Sequence, residues 1–207
     1  MRIGIVGSGY IGGTLTGRLR ELGHDVRVSN SRGPESLAGL ADETGAIAST
    51  VADAIGGGEL VIVSVPLKAI PDLPADLFAG KRVVDTGNYY PARDGQIHEI
   101  DSGTPSTRWV AQHLRGARVV KAFNTIQAAH LSEGGLPGNA NGRIALPVAG
   151  DDGETKQIVM KLIDELGFDS VDAGTLDDSW RQQPDTPVYG ADLDIEGVEE
   201  GLTATER

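Results

Sequence analysis

The stretch Arg2-Ile3-Gly4-Ile5-Val6-Gly7-Ser8-Gly9-Tyr10-Ile11-Gly12-Gly13 decides the fold. Arg2 to Val6 reads as a buried strand. Gly7, Gly9 and Gly12 then fall in the spacing G-x-G-x-x-G, with Gly13 beside them. Ile11, Leu15, Leu19 and Leu22 succeed them at intervals of three or four, which is one face of a helix. The chain holds 29 glycines in 207 residues, roughly twice the usual share. Glycines alone therefore carry little weight; their place between a strand and an amphipathic helix carries more. An ordinary βα turn shares this outline. In a dinucleotide-binding turn each glycine has a task. Gly7 permits the tight turn, Gly9 lets the backbone approach a pyrophosphate, and Gly12 lets the helix pack close. Ser8, Tyr10 and Ile11 complete the loop, and the helix N-terminus faces the phosphates with its positive dipole end.

The second strand, Val26 to Val28, indicates which dinucleotide. A site for NAD places Asp or Glu at its end, about 20 residues after the glycines, to hold the ribose 2′-OH. Here that end reads Ser29-Asn30-Ser31-Arg32, without a carboxylate. Asn30 and Ser31 offer hydrogen bonds and Arg32 a planar cation, which suit a 2′-phosphate. Asp25 lies at the wrong end of the strand. NADP(H) is expected over NAD(H).

Strands and helices alternate further on. Ala46 to Ala48, Leu60 to Val65, Arg82 to Asp85, Arg118 to Phe123, Ile144 to Val148 and Ser170 to Asp172 read as strands. A helix is expected at Ala52–Ile55. Another opens at Thr104-Pro105, with Thr as cap and Pro at its first position, and buries Trp109, Val110 and Leu114. Asp152 caps a third, which carries Ile158, Val159, Leu162 and Leu166. A Gly/Asn/Pro loop is expected from Gly134 to Gly142. The pattern implies an α/β fold, doubly wound, with a mainly parallel sheet covered on both faces. One Rossmann-type domain spanning 1–207 is expected, with its nucleotide-binding core at about 1–150. Ligands sit beyond the carboxyl ends of such strands. This selects Ser64, Val65 and Pro66, then Asp85 to Asn88, and Asn124, Thr125 and Ile126. The first group is expected toward the adenosine, the later ones toward the nicotinamide.

The formal charge is −12, and all of it lies in residues 151–207, which hold 16 acidic and 4 basic residues. Residues 1–150 hold 14 of each. An anionic ligand belongs with that neutral part, and nucleic acid is not an expected partner. There are no cysteines, so disulfides and thiolate chemistry are excluded. The four histidines show no metal spacing, and no metal site is expected. The longest apolar run, Leu60 to Leu67, is broken by Ser64 and Pro66 and falls far short of the roughly 20 residues of a membrane span. The N-terminus enters a strand directly, without a signal-peptide pattern. A soluble, cytoplasmic protein is the expectation.

Several of these segments together resemble the NADPH-dependent reductases of coenzyme F420, the F420:NADP oxidoreductase family. They are Met1 to Gly9, Leu22-Gly23-His24-Asp25-Val26, Asn30-Ser31-Arg32 and Val119-Val120-Lys121-Ala122-Phe123-Asn124. Pro147 to Asp152, Leu166-Gly167-Phe168 and Val171 to Leu176 match as well. The chain is also similar to the NADPH–flavin domain of the six-transmembrane metalloreductases, without their membrane half. The resemblance covers about residues 1–178. It implies a Rossmann domain, often a homodimer, in which hydride passes between NADPH and a deazaflavin, F420, or a flavin, FMN or FAD. After Leu176 the chain departs from the pattern. Where deazaflavin-using members continue with an apolar helical tail, this one reads Trp180-Arg181-Gln182-Gln183-Pro184 and later Tyr189-Gly190-Ala191-Asp192.

Hydride transfer between two rings needs alignment more than acid–base groups, so no catalytic side chain is assigned. His98 lies in a polar loop and reads as a surface residue. Lys121 reads as structural, and Trp180 as tail packing. Asp85 either orients backbone or merely ends a strand, and Tyr89-Tyr90 either wall a ring pocket or cover the core. Two other functions stay open: an NADPH-dependent reductase of a small imine or carbonyl, and a non-catalytic NADP-binding sensor. The first usually carries a further helical dimerisation domain, for which a chain ending at Arg207 is expected to lack room.

Overall fold

The computed structural model describes residues 1–138 and 140–205. Asn139 of the expected loop, and Glu206 and Arg207 of the acidic quarter, lie outside the described residues. The strands are β1 (Arg2–Val6), β2 (Asp25–Ser29), β3 (Ile47–Ala48), β4 (Leu60–Val63), β5 (Arg82–Asp85), β6 (Arg118–Lys121), β7 (Ala145–Gly150) and β8 (Asp169–Asp172). They form one sheet in the order β3-β2-β1-β4-β5-β6-β7-β8. The order reverses beside β1, the switch point where this architecture opens a crevice. Every pairing is parallel except β6 with β7, where Val120 faces Gly150 and Lys121 faces Ala149.

Alternation along the strands feeds two cores. Leu60 and Ile62 of β4 join Ile3, Ile5, Val84 and Val120 on one face. There they meet Leu15 and Leu19 of α1 (Tyr10–Glu21), and Val159 and Leu162 of α8 (Gly153–Glu165). Val61 and Val63 point the other way. They join Val83 and Val119 against Ile55 of α3 (Val51–Gly57), and Trp109 and Val110 of α6 (Ser106–His113). Smaller helices are α2 (Ala38–Thr44), α4 (Pro91–Asp94), α5 (His98–Asp101) and α7 (Ala128–Glu133). The tail adds a 3-10 turn, Leu176–Gln182, and α9 (Ile195–Ala204). Val198 of α9 packs on Ala145 and Val171, beside Val188.

The structure corrects several boundaries. Leu22 of the expected stripe is 41% exposed, because α1 ends at Glu21. β4 stops at Val63, two residues early; Ser64 N still bonds to Val6 O, but Pro66 has no N–H to continue the ladder. β6 stops at Lys121 because Phe123 adopts a positive φ of 61°, outside strand geometry. Helix α6 begins one residue later than expected. Pro105 flanks it with an extended ψ of 138°, and Thr104 makes no cap. Instead the Ser106 N–H donates to Gln183 Oε1 at 2.8 Å, a partner from the tail.

The expected cap on α8 is present. Asp152 accepts from the Thr155 N–H at 2.8 Å and from its hydroxyl at 2.5 Å. These bonds hold its carboxyl below the usual carboxylate range. Asp152→Ala is therefore expected to cost about 1 kcal/mol of stability at neutral pH. A lowered folded-state value means that the ionised cap stabilises fully above the unfolded value of ~3.9, and that this part is lost as pH falls through the folded value. Urea unfolding of both proteins at about pH 7 and about pH 3 checks this. The difference between them should shrink in acid.

Candidate functional site

The loop between β1 and α1 is built around missing side chains. Gly7 has φ of 108°, and a Cβ there would lie 2.1 Å from Ser64 O. A Cβ on Gly12 would lie 2.0 Å from Gly7 O and 3.2 Å from Ser64 Cβ. The close packing expected of Gly12 is thus against the loop itself and the end of β4. Gly9 differs from both: a Cβ there would meet nothing within 4 Å, because it would project into open space. That space is where a phosphate would need to approach. Gly9 also flanks α1 with no side-chain cap, and the first turn of α1 carries no acidic residue. The N–H groups of that turn are placed to receive an anion.

A cleft of about 460 Å³ opens beside Gly9. This is within the usual range for small-molecule sites. Of the residues expected from sequence, Gly9, Tyr10, Ile11, Ser64, Val65, Pro66, Asn88, Asn124 and Ile126 line it. Thr86 and Gly87, inside the selected end of β5, line it too. Gly7, Ser8, Gly12 and Thr125 are not among its lining residues. Asn30, Ser31 and Arg32 lie outside the cleft, beyond β2. Asn30 Nδ2 donates to Ser8 Oγ at 3.2 Å, and Asn30 Oδ1 accepts from Arg32 N at 2.8 Å. Asn30 therefore ties the β2 end to the glycine loop, while Ser31 and Arg32 remain exposed.

Buried polar bonds fix the floor. Lys121 is fully buried and donates to Gly87 O at 2.8 Å and to Thr107 Oγ1 at 2.9 Å. Its reading as structural holds. Burial pushes its ammonium below the usual lysine range, and Asp85, 3.9 Å away, opposes that shift. Asp85 accepts from the Gly87 N–H and the Thr107 hydroxyl, so it does orient backbone. Asn88 Nδ2 donates to Asn124 O, and Asn124 Nδ2 donates to Asn88 Oδ1 and to Gln182 O. These amides join the ends of β5 and β6 to the tail.

Of the remaining lining, Tyr90 belongs to the pair weighed as a ring wall, whereas sequence reasoning misses Arg93, Phe123 and Tyr189. Phe123 is a bulky residue with positive φ, a strained state that clusters at functional sites; a single sequence gives no sign of it. Tyr90 lines the cleft, whereas Tyr89 turns away to Asp101 and Gly95 O. Arg93 lies 4.9 Å from the Tyr90 ring centroid and pairs with Asp94 at 2.8 Å. Tyr189 reaches the cleft from the tail, where its hydroxyl bonds to that of Tyr90. His98 is exposed, as expected, but it opens α5 rather than lying in a loop. Among the described residues, no group of His, Asp or Glu is placed to hold a metal ion.

Comparison with known proteins agrees with this geometry. The sequence profile described as NADP oxidoreductase coenzyme F420-dependent matches residues 2–89. The solved structure of SMa0349 from Sinorhizobium meliloti is 34% identical, covers 93% of this chain and 94% of its own, and superposes with a TM-score of 0.80. That from Arthrobacter sp. FB24, described as an F420-dependent NADP-reductase, is 27% identical over 85% of this chain and 86% of its own, with a TM-score of 0.72. The chain belongs to the coenzyme F420-dependent NADP oxidoreductase family. That family is described as NADP oxidoreductases, and the chain shares the Rossmann fold of these structures. YjhV of Escherichia coli (strain K12) is 47% identical over 57 residues, 28% of this chain and 42% of that protein. An imine reductase from Pseudomonas sp., 16% identical over 84% of this chain and 55% of its own, shares the fold with a TM-score of 0.61. No helix among the described residues is long and apolar enough to cross a membrane.

Two alanine substitutions should separate the roles of the glycines. Gly9→Ala meets open space at a negative φ, so its melting temperature should stay close to wild type while NADPH affinity falls about tenfold or more. Gly12→Ala must displace backbone, so it should lower the melting temperature as well. Calorimetry and NADPH fluorescence titration of both variants would check this.

Proposed function

We propose that the protein transfers hydride between NADPH and the deazaflavin coenzyme F420, held together in the cleft. One observation supports this above the others. The open face of Gly9 and the uncapped start of α1 share a cleft with the ends of β4, β5 and β6, and that cleft continues to an aromatic wall at Tyr90 and Tyr189. The lining is mixed: Val65, Pro66, Phe123 and Ile126 offer apolar faces for flat rings, while Asn88 and Asn124 offer amides. Bound NADPH supplies the hydride and F420 the ring that takes it.

The protein's own part is placement. The N–H groups of the α1 first turn hold the pyrophosphate. Arg32, exposed beyond β2, pairs with the 2′-phosphate, and Asn30 fixes the turn that presents it. The Asn88–Asn124 amide pair keeps the ends of β5 and β6 at one spacing, so the rings stack rather than slide. FMN and FAD carry a ring of similar outline and are the alternative acceptors. An imine or carbonyl substrate has only fold-level likeness behind it, since the imine reductase is 16% identical.

The test is to follow NADPH absorbance with F420, FMN, FAD, a cyclic imine and a ferric chelate in turn. Oxidation with F420 at the highest kcat/KM is expected. Oxidation with the imine alone would overturn the proposal, and tight NADPH binding with no oxidation would favour a sensor. Arg32→Ala should weaken NADPH binding about tenfold and leave NADH binding unchanged. Equal losses for both nucleotides would remove Arg32 from the 2′-phosphate site.

A further inference from the structure

The tail segment that departs from the family pattern contributes Tyr189 to the cleft. Two hydrogen bonds set its backbone: Tyr189 N to Thr186 O at 3.0 Å, and Gly190 N to Thr125 O at 2.8 Å. Val188 beside it is buried, 4% exposed. From the other side comes Tyr90, whose N–H donates to Asp94 Oδ2 at 3.0 Å and whose ring faces the Arg93 guanidinium. The two hydroxyls meet in one hydrogen bond. Each phenol carries one O–H donor. One proton is used between them, and the second is left to donate to a third group at the cleft wall.

The surroundings define the group that would accept it. The Arg93 charge is offset by Asp94, whose carboxylate lies 2.8 Å away. This wall therefore offers a neutral donor rather than net positive charge, which suits an uncharged carbonyl better than a phosphate or carboxylate. Burial and the bond to Tyr189 push the Tyr90 phenol up to about 12, so it keeps its proton at neutral pH. Phe123, Pro66 and Ile126 line the same cleft and suit a flat ring.

We propose that Tyr90 and Tyr189 form a paired-phenol donor that selects the hydride acceptor by hydrogen-bonding a ring carbonyl. The proposal rests on the reading that an acceptor ring enters this cleft beside NADPH. It makes both tyrosines specificity-determining residues and assigns them no part in proton transfer.

The test uses Tyr189→Phe and Tyr90→Phe in the full chain. Both keep the ring and remove one hydroxyl. Each is measured for melting temperature, NADPH affinity, and kcat and KM with every acceptor that wild type reduces. The expected result is a rise of about tenfold in KM for ring-carbonyl acceptors, F420 or FMN, in at least the Tyr189 variant. NADPH affinity should stay within about twofold, as a structural lesion would not allow. Unchanged KM in both variants while wild type reduces F420 overturns the proposal and leaves the F420 reading intact. Loss of NADPH affinity equal to the loss in KM also overturns it. If wild type reduces FMN but not F420 and the variants raise KM for FMN, the F420 reading fails and the proposal stands. Wild type that reduces none of the acceptors overturns both.

Discussion

Close contact between α1 and the ends of β1 and β4 is the constraint on which the rest depends. A Cβ on Gly7 or Gly12 would come within about 2 Å of a backbone oxygen, as would one on Gly4 toward Ala54 O. Real atoms do not approach so closely, so β1, α1 and α3 can reach this spacing only where side chains are missing. That spacing brings the start of α1 to the edge of the sheet and places Ser64 beneath it. It also leaves the Gly9 face open. The cleft is thus a product of backbone packing first and of side-chain chemistry second.

The sheet was largely legible in the sequence because parallel strands buried on both faces are written as short apolar runs, such as Leu60-Val61-Ile62-Val63. The reversal at β7 was not legible. Ala145 to Gly150 is just as apolar as its neighbours, and direction leaves no mark on hydrophobicity. The small helices α2 and α7 were not legible either, because each is one or two turns long and shows too little periodicity. Of the site, the half that depends on glycine and strand ends can be read by position. The half that depends on tertiary return, Phe123 with its strained backbone and Tyr189 from the tail, has no local signature.

The acidic quarter is less a separate charged surface than its composition suggests. Asp151 and Asp177 both pair with Arg108, Asp172 pairs with Lys156, and Asp164 and Asp169 pair with the nearly buried Arg143. Arg108 comes from the neutral part of the chain, and its two carboxylate partners raise its pKa further. Much of the acidity therefore helps to fasten the last strands and the tail to the body. It does so on elements away from Gly9, so the charge balance of residues 1–150 describes what a phosphate would meet.

The inverted strand β7 also bears on how such a protein can change. Because β7 and β8 run against β6, the chain leaves β8 on the side of the sheet away from the cleft and must climb back through Leu176–Gln182. It is moored there by Gln182, which donates to Asn124 Oδ1 and Pro147 O. From that mooring to α9 the chain runs as loop, free of the register that binds every strand. Away from the buried Val188 and the bonds of Gly190 N to Thr125 O and Ala145 N to Leu193 O, substitutions in this loop can reshape one wall of the cleft without touching the parallel ladders or the glycine contacts between β1 and α1. The nucleotide half and the acceptor wall can thus diverge at different rates within a single chain.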